Sequence, residues 1–79
     1  MEIRVYEKKD YSVKKIGDYD FAIAPSLGDQ VEIPDMDSCL IYRVTRVAHH
    51  VVPLPRVSTT QTWKPSMTIE VEFLREEEV

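Results

Sequence analysis

The sequence has few of the residues that staple or sharply bend small proteins. Of its 79 residues, one is cysteine and two are glycine. A single cysteine excludes an internal disulfide, and two distant glycines exclude a glycine-rich phosphate loop. No apolar run approaches the roughly 20 residues that span a bilayer, and the first residues lack the apolar core of a secretory signal. These absences predict a cytoplasmic protein without membrane contact.

The residues that are present describe an ordinary globular domain. Apolar residues make up 43% of the chain and charged residues 30%, a balance that argues against disorder. A chain of this length holds one core, so we predict a single domain over residues 1–79 with an acidic tail from about residue 75. So small a core is narrowly stable, which suggests that self-association or a protein partner adds stability.

Acidic side chains are missing from one long segment. Residues 38–69 contain no Asp or Glu but include Arg43, Arg46, Arg56 and Lys64, so they carry +4 while the whole chain carries −4. Such asymmetry indicates either a basic surface for an acidic partner or a basic strand neutralised by acidic strands beside it. The sequence leaves both readings open.

The longest apolar run, at residues 38–52, predicts the central strand of the fold. It is rich in β-branched and aromatic residues, which favour a buried strand. The apolar positions change parity once: Leu40, Tyr42 and Val44 share one parity, and Val47, His49 and Val51 the other. Because a strand alternates with period two, this change predicts a β-bulge or a sharp bend near Thr45–Arg46.

Shorter alternating segments predict the remaining strands. We expect strands at residues 2–7, 18–24, 30–33 and 66–74, a turn at 34–37 and a solvated tail at 75–79. Residues 11–16 are either one helical turn ended by Gly17 or, as we favour, a strand that turns at Gly17–Asp18. The predicted core residues of these strands are Ile3, Val5, Tyr19, Phe21, Ile23, Val31, Ile33, Met67, Ile69, Val71 and Phe73.

The middle of the chain resembles small SH3-like β-barrels. In those folds a strand that opens with Gly-Asp-x-Val commonly follows a turn, and the matching residues are Gly28, Asp29 and Val31, followed by Tyr42, Val44 and Val47. The resemblance implies an all-β fold: five or six antiparallel strands in a small, partly open barrel. It concerns architecture, and it transfers no functional residue.

Candidates for metal binding and catalysis are sparse. A structural zinc site requires four ligands, whereas the chain offers Cys39 and the adjacent His49 and His50. Neighbouring residues of a strand point to opposite faces, so the two histidines diverge. Cys39, at the start of the central strand, is interpreted as a small core residue. We therefore predict no enzyme, no metal and no cofactor.

The segment after the central strand is the strongest candidate for binding. Residues 53–65 form a loop long enough to suggest a functional role, and they hold the chain's one Trp. Trp and Arg dominate binding hot spots. The predicted binding residues are Arg43, Arg46, Arg56, Trp63 and Lys64. Alternatively, Trp63 covers one open end of the barrel.

These observations favour a non-catalytic protein-interaction module. It would use the basic segment and long loop of residues 43–64 to bind an acidic or peptide-like partner or a copy of itself. A second hypothesis is a nucleic-acid-binding barrel, which the acidic net charge disfavours. A third is a structural subunit of a larger, phage-like assembly.

Overall fold

The described residues of the protein form a single sheet of five β-strands. The computed structural model describes residues 1–51 and 66–78. The strands are β1 (Glu2–Lys9), β2 (Ser12–Asp20), β3 (Gln30–Asp35), β4 (Ser38–His49) and β5 (Met67–Glu78). They lie in the order β2-β1-β5-β4-β3, and the described residues form no helix. The predicted all-β class and the number of strands are confirmed.

One pair of neighbouring strands departs from the predicted antiparallel pattern. β1–β2, β3–β4 and β4–β5 are antiparallel, but β1 and β5 run parallel. The reason is topological. Where each strand reverses the direction of the one before it, the first and fifth strands point the same way, so they pair in parallel when the sheet brings them together.

The core is formed by the inward-facing side chains of every strand. Eight buried residues form one cluster: Ile3, Val5, Val31, Tyr42, Val44, Met67, Ile69 and Val71. Partly buried residues, including Ile16 and Tyr19 of β2 and Ile33 of β3, pack against it. Because both edge strands reach the same cluster, the sheet curves around its core. The curved sheet is open between β2 and β3, which do not pair.

The predicted bulge in β4 is confirmed. Val44 lies opposite Val71 and Arg46 lies opposite Glu70, so Thr45 is the extra residue. The Thr45 hydroxyl donates to the Glu70 carbonyl at 3.2 Å. Val44 is buried, and Val47 packs against the same cluster. The bulge therefore keeps both halves of β4 on the core although the sequence changes parity.

Residues 12–16 belong to a strand, as we favoured, but the turn is not where we predicted it. The β1–β2 turn lies at Asp10 and Tyr11, and Asp10 adopts a φ of 55°, a conformation that Asp tolerates well. Gly17 is inside β2, opposite Val5, at a register shift. A Cβ at Gly17 would lie 3.0 Å from the Tyr19 ring, so glycine serves here to admit the ring.

The segment after Asp20 does not continue as a core strand. The Phe21 N–H donates to the Met1 carbonyl at 2.7 Å, and Phe21 still packs on the core. Beyond this contact the chain leaves the sheet, and Ile23 is 81% exposed. The predicted core position of Ile23 was wrong, because the alternating pattern of the sequence continues beyond Asp20, where β2 ends.

The acidic C-terminal residues are part of the sheet. We predicted a solvated tail from residue 75, yet Arg75 lies opposite Ile41 and the pairing continues to Glu78. A second register shift separates Arg75 from Phe73. Phe73 remains 47% exposed, with its ring against Tyr42 at a centroid distance of 5.6 Å. Its expected place in the core was therefore wrong.

Strand β3 also extends further than predicted. It runs through Pro34, which lies opposite Cys39, and the turn into β4 falls at Met36 and Asp37. Proline lacks an N–H donor, so β3 can accommodate it because β3 is an edge strand. Cys39 is half-buried and outside the core cluster, which corrects its predicted core position.

We expect Val44→Asp to prevent stable folding. The side chain is 1% exposed, and an unpaired carboxylate there should lower the free energy of unfolding by about 4 kcal/mol or more. Urea unfolding followed by circular dichroism measures the change. Val51→Asp is the matched control. Because Val51 is 75% exposed, this variant should unfold near the wild-type midpoint. A cooperative transition of Val44→Asp at that midpoint would contradict the assigned core.

Candidate binding surface on the outer face of the sheet

The bulge in β4 places two predicted binding residues on one side of the sheet. Arg43 and Arg46 differ by three positions, so a regular strand would send them to opposite faces. With Thr45 as the extra residue, both reach the face away from the core, here called the outer face. There Arg43 Nη1 lies 3.6 Å from Glu72 Oε1, and Arg46 Nη1 lies 2.9 Å from Glu70 Oε2.

These ion pairs change the meaning of the charge asymmetry. The described part of the basic segment is neutralised by β5, as the second reading of the sequence expected. The side chains of Arg43 and Arg46 are still 50% and 68% exposed. Exposed pairs of this kind contribute about 0–1 kcal/mol each. A partner's carboxylates can therefore replace the glutamates at little loss of stability.

A shallow depression of 270 Å³ lies beside Arg46 on the outer face. It extends over four strands because two small residues, Ala48 and Thr68, sit opposite each other in the β4–β5 ladder. Larger side chains surround them. The depression is defined by its lining residues, which are Tyr6, Val13, Arg46, Ala48, His50, Thr68, Ile69 and Glu70.

The depression combines apolar surface with a few polar groups. Val13 is 50% exposed, Tyr6 supplies a ring with a hydroxyl, and Arg46 supplies a charge. Tyr and Arg are the residue types that most often anchor protein contacts. The arrangement suits a side chain or short segment of a protein partner.

Two described residues on either side of residues 52–65, His50 and Ser66, are joined next to this depression. The His50 N–H donates to the Ser66 carbonyl at 2.8 Å, so the chain leaves and re-enters the described structure at one place. His50 and Thr68 line the depression on either side of that point. Arg56, Trp63 and Lys64 lie outside the described residues, and their role in binding stays a prediction.

Another ion pair on the outer face joins β1 and β2. Arg4 Nε lies 2.9 Å from Asp18 Oδ1, and Lys15 Nζ lies 3.6 Å from Asp18 Oδ2. The hydrogen bond from Arg4 lowers the pKa of Asp18, and the same bond raises the pKa of Arg4. The outer face is thus a mixed-charge surface rather than a uniformly basic one.

Histidine and cysteine side chains do not assemble into a site. His50 lines the depression, whereas His49 does not. Within residues 1–51 and 66–78, no group of three or more His, Cys, Asp or Glu side chains could hold a metal. Burial raises the pKa of the Cys39 thiol, and Glu32 and Glu77 raise it further. A raised pKa reduces the thiolate fraction and with it nucleophilicity.

Sequence reasoning missed most of the depression. Tyr6, Val13, Ala48 and Thr68 come from four strands, and their proximity depends on the register of three ladders, one of them parallel. One signal was available in the sequence: Tyr6 has the parity of Arg4, opposite to that of buried Ile3 and Val5.

Fold and surface together define a small single-sheet β protein with a mixed-charge outer face. The chain matches no protein-family model, no curated protein and no solved structure. No helix in the described parts of the chain is long and apolar enough to cross a membrane.

The Arg4–Asp18 pair predicts a specific acid dependence of stability. Because the folded state lowers the pKa of Asp18, the pair stabilises the fold above the unfolded-state pKa, and this stabilisation is lost as the pH falls through the folded-state pKa. Asp18→Asn should therefore lower the melting temperature at pH 7 and approach the wild type near pH 2.

Thermal melts from pH 2 to pH 7 measure this difference. Asp37→Asn is the control, since Asp37 is exposed and forms no ion pair with a described residue. A difference between Asp18→Asn and wild type that stays constant over this range would contradict the role of the pair.

Proposed function

We propose that the protein is a non-catalytic protein-interaction module. Its contact surface comprises the depression, Arg43, Arg46 and the adjoining segment with Arg56, Trp63 and Lys64. The partner is an acidic protein segment or a second copy of the chain. The observation that carries the proposal is the placement of both arginines on one face, in exposed ion pairs, next to a depression that combines apolar surface with a few polar groups.

The charge pattern favours a protein partner over nucleic acid. Phosphate binding requires several cations that are not already opposed by acids. Arg43 and Arg46 each face a glutamate of β5, and the chain has a net charge of −4. Alternating charges instead suit a protein surface, where complementary ion pairs determine register and specificity.

The charge distribution also suits a second copy of the chain as the partner. At the opposite end of the β4–β5 pair, a concavity is lined by Asp35, Asp37, Glu76 and Glu78 around Met36, and Met36 is 98% exposed. This acidic end of one molecule complements the arginines of another. Because such a contact joins two different surfaces, it generates rings or filaments, which favours the structural-subunit hypothesis as the second candidate.

We also propose that the sheet is an open relative of SH3-like barrels. The support lies in the segment that carries the resemblance. The Gly28 N–H donates to the Val44 carbonyl and the Val44 N–H donates to the Asp29 carbonyl, both at 2.8 Å. Gly28, with a φ of 89°, thus ends the turn that leads into β3.

Self-association and probe binding test the proposed function. Light scattering after size-exclusion chromatography gives the molar mass over a range of protein concentrations. Fluorescence anisotropy then compares an acidic peptide that alternates glutamate and leucine with a twelve-nucleotide single-stranded DNA, each at low and high salt. We expect self-association or peptide binding. The proposal would be overturned if the protein neither self-associates nor binds the peptide. It would also be overturned if the protein binds DNA with an affinity that weakens steeply with salt.

Charge reversal should identify the binding face. Arg43→Glu with Arg46→Glu should weaken binding of the acidic peptide by roughly tenfold or more at low salt, because attraction becomes repulsion. A matched control adds Glu70→Arg and Glu72→Arg, which restores the ion pairs with their polarity exchanged. Urea unfolding verifies that this control keeps wild-type stability. If the double reversal binds like the wild type, the arginines are not part of the contact.

Trp63→Ala separates the two roles proposed for the indole. If Trp63 anchors a partner, the substitution should weaken binding by about 2 kcal/mol while stability barely changes. If it covers the barrel end, stability should instead fall by about 3–5 kcal/mol. Peptide anisotropy and urea unfolding measure the two effects. An unchanged affinity together with an unchanged stability would remove the loop from the proposal.

A further inference from the structure

Another concave surface lies where the sheet is open. A cleft of 660 Å³ separates the end of β2 and residues 21–25 from β3. We call it the edge cleft. Its position differs from that of the depression, since it lies between the two outermost strands rather than on the outer face. Among the described residues, neither Arg43, Arg46 nor any residue of the depression lines it.

The edge cleft exposes apolar surface that is continuous with the core. Tyr19 and Phe21 line one side, and Val31 and Ile33 line the other. All four belong to or pack against the core cluster. Ile23, also in the lining, is 81% exposed. Apolar side chains of a bound segment would therefore extend the core between β2 and β3.

Backbone groups of β3 also face the edge cleft. The Val44 N–H donates to the Asp29 carbonyl, so Asp29 faces β4. The N–H and C=O groups of successive residues in a strand point to alternate sides, so those of Gln30, Glu32 and Pro34 point away from β4. Pro34 fits this assignment because it has no N–H to offer the ladder. The N–H and C=O groups of Gln30 and Glu32 can thus pair with an added strand.

The charged side chains among the described residues that line the edge cleft are all acidic. They are Asp20, Asp29 and Glu32. Asp20 Oδ1 lies 2.6 Å from the Met1 amino group, and Asp29 accepts a hydrogen bond from the Ser26 N–H at 2.7 Å. Glu32 forms no ion pair with any described residue. A bound segment with cations would satisfy it.

From these features we infer that the edge cleft binds an extended protein segment of alternating apolar and basic residues, added as a strand to β3. The apolar side chains enter between Phe21 and Val31, and the cations reach Glu32. This inference goes beyond the proposed function and does not depend on the outer face.

A synthetic peptide tests this inference directly. The probe is a fluorescein-labelled eight-residue peptide that alternates lysine and valine. By anisotropy at low salt, we expect a Kd of roughly 100 µM or tighter. Two controls should bind at least tenfold more weakly: a peptide with the same residues in two blocks, and one with glutamate in place of lysine. Equal binding of the alternating and block peptides would overturn the inference.

Variants at one position separate charge from backbone pairing. Glu32→Lys should weaken binding of the alternating peptide by roughly tenfold. Asp37→Lys, which also replaces a carboxylate by lysine but lies outside the cleft, should have little effect on this binding. Glu32→Pro removes an N–H that points away from β4, so it takes no donor from the β3–β4 ladder. It should also weaken binding of the alternating peptide. Arg43→Gln with Arg46→Gln should leave this binding intact, even if the proposed function fails.

Amide exchange provides a readout independent of affinity. By NMR, the Glu32 amide should exchange quickly in the free protein and slow down at least tenfold when the peptide is bound. An exchange rate that the peptide leaves unchanged would overturn the inference. So would equal weakening by Asp37→Lys and Glu32→Lys. A dimer that Glu32→Pro dissociates would assign the edge cleft to a second copy and likewise overturn it.

Discussion

The antiparallel pairing of β4 with β5 is the interaction on which the rest of the structure depends. It joins the two longest strands, from Ser38–Glu78 at one end to His49–Met67 at the other. Their inward residues, among them Val44, Ile69 and Val71, form much of the core. β1 attaches to one side of this pair and β3 to the other.

The same pairing determines the chemistry of the outer face. One extra residue, Thr45, keeps the apolar side of β4 on the core and sends two arginines outward against two glutamates of β5. Because of the bulge, the described arginines of the basic segment lie beside glutamates, and the folded surface alternates in charge. Net charge along the chain and charge on the folded surface differ because neighbouring strands interleave their side chains.

Local patterns predicted the parts of the fold that local physics determines. Alternation identified buried Ile3 and Val5, and the change of parity located the bulge in β4. Alternation failed for Ile23 and Phe73, because burial there depends on where a strand leaves the sheet and where a ladder shifts register. The parallel β1–β5 pair joins distant segments. Neither the depression nor the edge cleft could be inferred from sequence for the same reason.

The parallel pairing of β1 with β5 has a consequence for how the chain folds. Residues 4–7 pair with residues 68–71, so these contacts close nearly the whole chain into a loop. Closing such a loop costs entropy before the pairing compensates for it, which slows folding relative to proteins with local contacts. During synthesis, β1 and β2 can form a hairpin early, but β1 must wait for β5. Until then, one edge of that hairpin remains without its native neighbour.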